Sequence, residues 1–508
     1  MDIDIKSLPD DPQLLKRMML EQADTIEHLA NRNKFLEEQF RLAQHKQFGA
    51  SGEGYPGQGE LFNEAEEVAM DEAAIEQEDV SYTRNKAKRK PLPKDLPRER
   101  VVQDIDEADK VCDCCHTELH QIGEDISEKL AFIPAKVSVI EYVRPKYACK
   151  ACEQNGTSNT VKQAPMPHSV IPKGYATPSL LSQIITSKYQ YGLPLYRQET
   201  MFKQYGIKLS RKTMADWMIK SADILQVLYD HLRQILLKQA VIHADETTVK
   251  VVSDNKKTSY MWVYATGTDS PEGNIPDTHI PNIVLFDYQP SRAGQCAVDY
   301  FNGYQGYLQV DGYAGYNNTQ ATLVGCWAHA RRKFVEAKTA QGKKQNGKAD
   351  WALNHIQKLY RIETQLKSKT VEERYRTRQE KSLLLLTQLE AWLIKSKEQV
   401  LPKTKLGEAI QYSLNQWPKL QGYTQDGRLN IDNNRAERAI KPFVIGRKNW
   451  LFSQTAKGAQ ASAILYSIIE TAKANGLTPF DYLNYLLAQL SQPQTDIEQL
   501  LPWEFARR

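Results

Sequence analysis

Apolar residues recur at seven-residue intervals between positions 14 and 44. Met19, Ile26, Asn33 and Phe40 fall in one row and Leu15, Leu29, Leu36 and Ala43 in the other, which Gln22 interrupts. The spacing predicts either a coiled-coil seam of about four heptads or a helix packed on its own protein. Asn33 in a core row would fix register and favour a parallel dimer. From 47 to 105 no period survives. A Gly-rich run and an acidic strip lead to "RNKAKRKPLPKDLPRER", where Pro91, Pro93 and Pro97 rule out regular helix, so a linker is expected. Residues 177–236 return to a helical pattern. Within them Gly206 marks a turn and Ser210 is a candidate N-cap for a helix opening on Arg211 and Lys212. That is the layout of a helix-turn-helix, whose second helix enters the major groove, although a helical bundle with no DNA role reads similarly.

After 239 the period shifts from helix to strand. "AVIHADETTVKVV", "SYMWVYATG", "NIVLFDY" and "GYLQVDGYAGY" are β-branched and aromatic runs separated by turn residues. Asp245 lies within the first run and Asp311 at the end of the fourth. "ADWALNHIQKLYRIETQLK" and "EKSLLLLTQLEAWLIKSKE" then read as amphipathic helices. They predict a helical insertion at about 331–426 that leaves the strand-rich domain discontinuous in sequence. Beyond it comes "IDNNRAERAI", in which Asp432, Asn433 and Asn434 are good N-caps. Glu437 should therefore sit in the first turns of a helix, where the dipole favours negative charge. Taken alone, the run also reads as a surface ion-pair cluster.

A length of 508 residues predicts several domains. The net charge of +4 hides a segregation, because residues 60–79 hold nine carboxylates and no Lys or Arg. A basic body with a separate acidic strip suits a nucleic-acid binder. "MDIDIKSLPD" lacks the features of a signal peptide and no apolar run approaches the roughly 18 residues of a membrane span, so a cytoplasmic protein without membrane contact is expected. Five of the seven cysteines lie between 112 and 152. Cys112-x-x-Cys115 and Cys149-x-x-Cys152 supply four thiolates, enough to close a tetrahedral zinc site, with strand-like "KVSVIEYVR" between them as part of a ribbon. Cys114 is a competitor for Cys115, and reduced structural cysteines are the alternative.

An aspartate within a buried strand is costly unless something pairs with it. Two that meet on adjacent strands repel each other, and a divalent cation is the usual remedy. Magnesium is commonly held by one or two carboxylates together with substrate phosphates, and a pair of such ions serves phosphoryl displacement. Glu437 is the candidate third carboxylate. Arg438, Lys441, Arg447 and Lys448 would supply a basic surface beside the metals for the phosphate backbone. Cys326-x-x-His329 reads either as a zinc ligand pair or, as the preferred alternative, as a buried helix with a hydrogen-bonded histidine.

"HADET" around Asp245, "QVDGYAGY" around Asp311, "GCWAHARRKF" at 325–334 and "NNRAERAIKPFVIGRKNWLFS" from 433 closely resemble the transposases of the bacterial insertion sequence 66 family. The resemblance extends upstream through the Cys pairs and "KQFGASGE". It departs at "CDCC" and in the length of the acidic strip. It implies a multidomain α+β protein: a ribonuclease H-like α/β catalytic domain with a helical insertion, preceded by coiled coil, zinc ribbon and helical DNA-binding region. The expected division is coiled coil 1–46, disordered linker 47–105, zinc-binding ribbon 106–165, helix-turn-helix-like region 166–238, catalytic domain 239–475 and C-terminal helical segment 476–508. The implied activity is metal-dependent cleavage at insertion-sequence ends and strand transfer into target DNA. Asp245, Asp311 and Glu437 would form the Asp-Asp-Glu triad on two Mg2+ (or Mn2+) ions, with Zn2+ in the ribbon. Arg211, Lys212, Arg331, Arg332, Lys333, Arg438, Lys441, Arg447 and Lys448 would contact double-stranded DNA. A homodimer and two small accessory proteins of the same element are the expected partners. The alternative is a zinc-containing DNA-binding protein whose ribonuclease H-like scaffold is catalytically inactive.

Overall fold

The structure, a computed structural model, describes residues 11–48, 100, 102, 114, 137–148, 161–254, 258–276, 278–341 and 347–507. Cys112, Cys115, Cys149 and Cys152, and nearly all of the expected linker, lie outside the described residues. Two compact units are present, one of residues 77–164 and the other of everything else.

In the smaller unit β1 (Lys146–Ala148) pairs antiparallel with β2 (Val161–Gln163), and Arg144 donates from its guanidinium to the Ala164 carbonyl. Residues 137–144 of the run expected as a strand are not one. Val139, Ile140 and Val143 are all exposed, so their β-branched side chains have no second layer to pack on and propensity alone does not make a strand.

The larger unit opens on helix α1 (Pro12–Phe48), which packs on α6 (Trp327–Gln341) and accepts the Lys405 N–H on Glu38 Oε1 at 2.8 Å. Three helices follow: α2 (Pro178–Tyr189), α3 (Leu195–Gln204) and α4 (Arg211–Leu236). Ser210 caps α4 by accepting the Thr213 N–H, and Gly206 (φ +76°) takes the left-handed turn that separates α3 from it. Arg211 and Lys212 are exposed at the start of α4, whereas Trp217, Leu225 and Leu232 further along are buried in the same core as the sheet. Tyr229 of α4 donates to the Phe286 carbonyl at 3.0 Å. The packing therefore shows no break at 238/239, where a domain boundary was expected.

A five-stranded sheet runs β5-β4-β3-β6-β7, from β3 (Val241–Val249), β4 (Ser259–Ala265), β5 (Val284–Gln289), β6 (Tyr307–Gln309) and β7 (Thr322–Val324). β3, β4 and β5 are antiparallel neighbours, while β6 pairs parallel with β3 and β7 parallel with β6. Helix α5 (Gly294–Tyr300) precedes β6. Helices α11 (Asn434–Trp450) and α12 (Ala456–Ala474) pack on the sheet, α11 against β3 and β4 and α12 against β5 and α4. Helix α13 (Pro479–Leu490) packs on α2.

Between β7 and α11 the chain leaves the sheet. Helix α6, together with α7 (Lys348–Gln365), α8 (Val371–Thr377), α9 (Leu383–Lys397) and α10 (Lys405–Asn415), builds a second core around Trp327, Phe334, Leu359, Leu389 and Trp417. A π-helical turn, Arg378–Ser382, joins α8 to α9. Arg378, fully buried, grips Glu363 through two nitrogens (2.9 and 2.6 Å) and donates to the carbonyls of Tyr423, Asp426 and Leu429. It thereby ties the helices to the returning strand of chain that leads to Glu437. Replacing Arg378 with Met strands the Glu363 charge and three carbonyls, so a destabilisation of about 3–5 kcal/mol is expected in denaturant titration. A loss below about 1 kcal/mol would show that the guanidinium is not the tie.

Candidate active site

The register of the sheet brings the two aspartates together. His243 on β3 lies opposite Gln309 on β6, so continuing the parallel pairing by two residues sets Asp245 beside Asp311, on one face. β6 ends at Gln309, and the chain turns at Gly312 (φ +107°), where a Cβ would meet the Tyr412 hydroxyl at 3.1 Å. Asp311 is braced there: its Oδ1 accepts the Tyr313 N–H at 2.9 Å and its carbonyl accepts the Tyr412 hydroxyl at 2.7 Å. Asp245 Oδ1 accepts the Glu246 N–H at 2.8 Å.

Glu437 arrives on the first turn of α11, as the N-cap signals predicted. The expected cap, Asn433, does not cap with its side chain. It faces the strand instead, donating to the Ala244 carbonyl at 2.8 Å and meeting His243 Nδ1 at 3.0 Å. Gln309 holds the approach to the helix, donating to the Asn430 carbonyl (2.7 Å) and accepting the Asn430 N–H (3.0 Å). These buried amides fix α11 against β3 and β6, and so fix where Glu437 sits relative to the aspartates.

The arginines flanking Glu437 do not neutralise it. Arg435, buried, bonds Asp269 at 2.8 Å, and Arg438 pairs with the same carboxylate. The two arginines of "IDNNRAERAI" thus form a partly exposed ion-pair cluster with Asp269, and Glu437 stands outside it. Glu437 instead lines a pocket with Asp245, Glu246, Thr247, His329, Arg332 and Arg447. Burial raises its carboxyl to about 7, with the charges of Asp432 and Asp311 adding to this and Arg332 opposing it. Burial likewise raises Asp245 well above the usual aspartate range, helped by the neighbouring charges of Glu246, Asp311 and Glu437. Two buried carboxyls raised above their ordinary range, with Asp311 close by, make a site whose charge suits a hard divalent cation such as Mg2+ or Mn2+. Glu437 Oε1 is buried without a hydrogen-bond partner.

The expected DNA contacts are spread over several surfaces. Arg332 and Arg447 line the pocket, and Arg447 is anchored to Thr248 Oγ1 at 3.0 Å on β3. Arg331 and Lys333 flank Arg332 on α6, Lys441 is half-buried and Lys448 exposed on α11, and Arg211 and Lys212 belong to the separate turn that opens α4. Arg438 is engaged by Asp269. Glu246 went unread in the sequence. Its side chain is almost wholly buried, held by Arg292 at 2.9 Å and by the Tyr316 hydroxyl at 2.7 Å. It borders the same pocket as Asp245 and Glu437, with its carboxylate already engaged by Arg292 and Tyr316. The adjacent acidic pair in "HADET" was the only signal for it.

Residues 173–461 match a family model described as the transposase IS66 family. Residues 109–153, which include all four paired cysteines, match the zinc-finger binding domain of transposase IS66. Residues 35–101 match a model described as transposase C of IS166 homeodomain, and 467–503 match the IS66 C-terminal element. The chain is 35% identical over 428 residues to the uncharacterized protein y4jD of Sinorhizobium fredii, covering 82% of this chain and 81% of that one. It is 34% identical over 463 residues to y4hP of the same organism, covering 87% and 81%.

Proposed function

Because the chain belongs to the insertion sequence 66 transposase family, we propose that it cleaves DNA at the ends of its insertion sequence and transfers the freed strand into target DNA. The observation that carries this reading is the sheet register that sets Asp245 beside Asp311 with Glu437 delivered from α11. A strand order of β5-β4-β3-β6-β7, antiparallel on one side of β3 and parallel on the other, supports a ribonuclease H-like catalytic domain interrupted by helices α6 to α10.

Asp245 and Asp311 would hold the divalent pair, and Glu437 would complete the second ion's shell. Bound there, the cations would supply charge stabilisation for the attacking and leaving oxygens of an in-line displacement. The carboxylates orient a water against the phosphodiester at the element end, and the leaving 3′ oxygen takes up a proton to become a hydroxyl. That hydroxyl then gives up its proton and attacks a target phosphodiester, whose own 3′ oxygen leaves and takes up a proton, so no covalent protein–DNA intermediate is needed. Arg332 and Arg447 face the pocket and would steady phosphate oxygens there, with Arg331, Lys333, Lys441 and Lys448 extending the basic track. Arg211 and Lys212, at an exposed helix N-terminus, would meet the duplex away from the chemistry. Plasmid carrying the element's ends should be nicked by the protein with Mg2+ and not with EDTA. Tight end binding with no nicking under either condition would favour the inactive-scaffold reading.

The expected seam residues Met19, Ile26, Leu29, Leu36 and Phe40 are all exposed on α1, while Phe35 and Glu38 are half-buried. An unpaired apolar row on a long helix supports a parallel homodimer joined through it. Deleting residues 1–46 should leave a folded protein that binds one end yet fails to bridge two, and Asn33→Leu should tighten association while relaxing its stoichiometry. Light scattering and a paired-end gel shift check both. Normal bridging by the truncated protein would place the dimer contact elsewhere.

A further inference from the structure

A second set of potential metal ligands meets at Glu437. Cys326 stands immediately before α6 and His329 lies on that helix's first turn, so a Cys-x-x-His spacing aims both side chains back toward the start of α11. Cys326 Sγ, His329 Nδ1 and a Glu437 carboxylate oxygen all lie within 4.8 Å of one another. His329 Nδ1 and Glu437 Oε1 are 3.5 Å apart. Each of these two atoms is buried with no hydrogen-bond partner, so two orphaned polar atoms face each other across one gap. An orphaned buried polar atom costs on the order of 1–3 kcal/mol, and two at one point mark something that belongs between them.

The gap has the dimensions of a ligand edge. With metal–nitrogen and metal–oxygen bonds near 2.0–2.1 Å, two ligands of a tetrahedral zinc ion stand about 3.4 Å apart. Cys326 Sγ is arranged as an acceptor: it takes the Asn433 N–H at 3.2 Å and the backbone N–H of His329. Those N–H···S contacts at a helix N-terminus favour a thiolate, whereas burial and the nearby Glu437 and Asp432 charges hold the thiol protonated in the metal-free protein. Binding a cation would release that proton. Burial beside Arg332 and Lys333 keeps His329 neutral, the form that coordinates.

We propose that Cys326, His329 and Glu437 bind a zinc ion, separate from the ribbon zinc and from the ions on the two aspartates. Sulfur, imidazole and carboxylate together select zinc over magnesium, and three protein ligands leave the fourth position to water. The ion would clamp one oxygen of Glu437 to the start of α6 and leave its other oxygen available to the pocket. It makes the glutamate a shared ligand, positioned by the helical insertion as well as by α11. This site does not depend on the cleavage reading, because its occupancy is measured without DNA.

Full-length protein loaded with Zn2+ and dialysed should hold about two zinc ions per chain by elemental analysis, one of them in the ribbon. Cys326→Ser and His329→Asn should each lose one equivalent, as should the ribbon variant Cys149→Ser with Cys152→Ser, whereas Asp245→Asn should keep both. In the Co2+-loaded ribbon variant, a sulfur-to-cobalt charge-transfer band should remain and then vanish when Cys326→Ser is added. One zinc ion per wild-type chain, or two that neither Cys326→Ser nor His329→Asn removes, would overturn the proposal. His329 is a quarter exposed, so its variant answers the question even where Cys326→Ser fails to fold.

Discussion

Asp245→Asn, Asp311→Asn and Glu437→Gln are each expected to abolish strand cleavage while leaving binding of the element ends largely intact. The amides keep the shape of the site and remove its charge. Asp245 lies on β3 and Asp311 just beyond the end of its parallel neighbour β6, and Glu437 is held by a helix whose approach is fixed through Gln309 and Asn433. Glu246 borders the same pocket, but its carboxylate is already engaged by Arg292 and Tyr316. Losing several kcal/mol of charge stabilisation corresponds to at least about a thousandfold in rate. The assay is nicking of plasmid substrate in parallel with a gel shift of the ends. Cleavage within about tenfold of wild type in any one variant would remove that residue from the triad.

The second expected result concerns pH and metal. Without added Mg2+, the thermal midpoint of the protein should fall as pH rises from 5 to 8, and Mg2+ should raise it far more at pH 8 than at pH 5. Glu437 titrates at about 7 in the folded chain, above the ordinary value of 4.5 that it regains on unfolding. Between those two values the folded state binds the extra proton. Stability from this group is therefore complete below about 4.5 and is lost as pH rises through 7, a loss on the order of 3 kcal/mol. Asp245, also raised by burial, adds in the same direction. A cation among the carboxylates supplies the missing counter-charge only where they are ionised, which is why its benefit belongs to the higher pH. Glu437→Gln should flatten the slope. An equal Mg2+ effect at both pH values would separate metal binding from these carboxylates.

The longer strands were legible because each carries a run of β-branched and aromatic residues long enough to show a period. β7, with three residues, and α5, with seven, are too short for one, and neither was expected. Helix α4 was readable through Ser210, yet its depth in the sheet's core was not, because that depends on partners such as Phe286 on a distant strand. In "KVSVIEYVR" the propensity was present and the packing partner was not. The three carboxylates of the proposed triad each stand in a local motif, but what surrounds them joins residues far apart in the chain. Glu246 finds Arg292, Asn433 finds Ala244, and His329 faces Glu437. Local pattern shows which residues are unusual for their element; it does not show which of them meet.

Placing a whole helical module between Asp311 and Glu437 also sets the order in which the site is completed during synthesis. Domains fold roughly as they emerge, N-terminal parts first. Asp245 and Asp311 leave the ribosome together, and Glu437 follows only after helices α6 to α10. It is seated once Arg378 has closed on the carbonyls of Tyr423, Asp426 and Leu429. Contacts so distant in sequence form late, since loop closure must precede them. A growing or prematurely terminated chain therefore carries two of the three carboxylates and lacks the last, so the proposed cutting of DNA would be withheld from every translation product that stops short of the insertion's return.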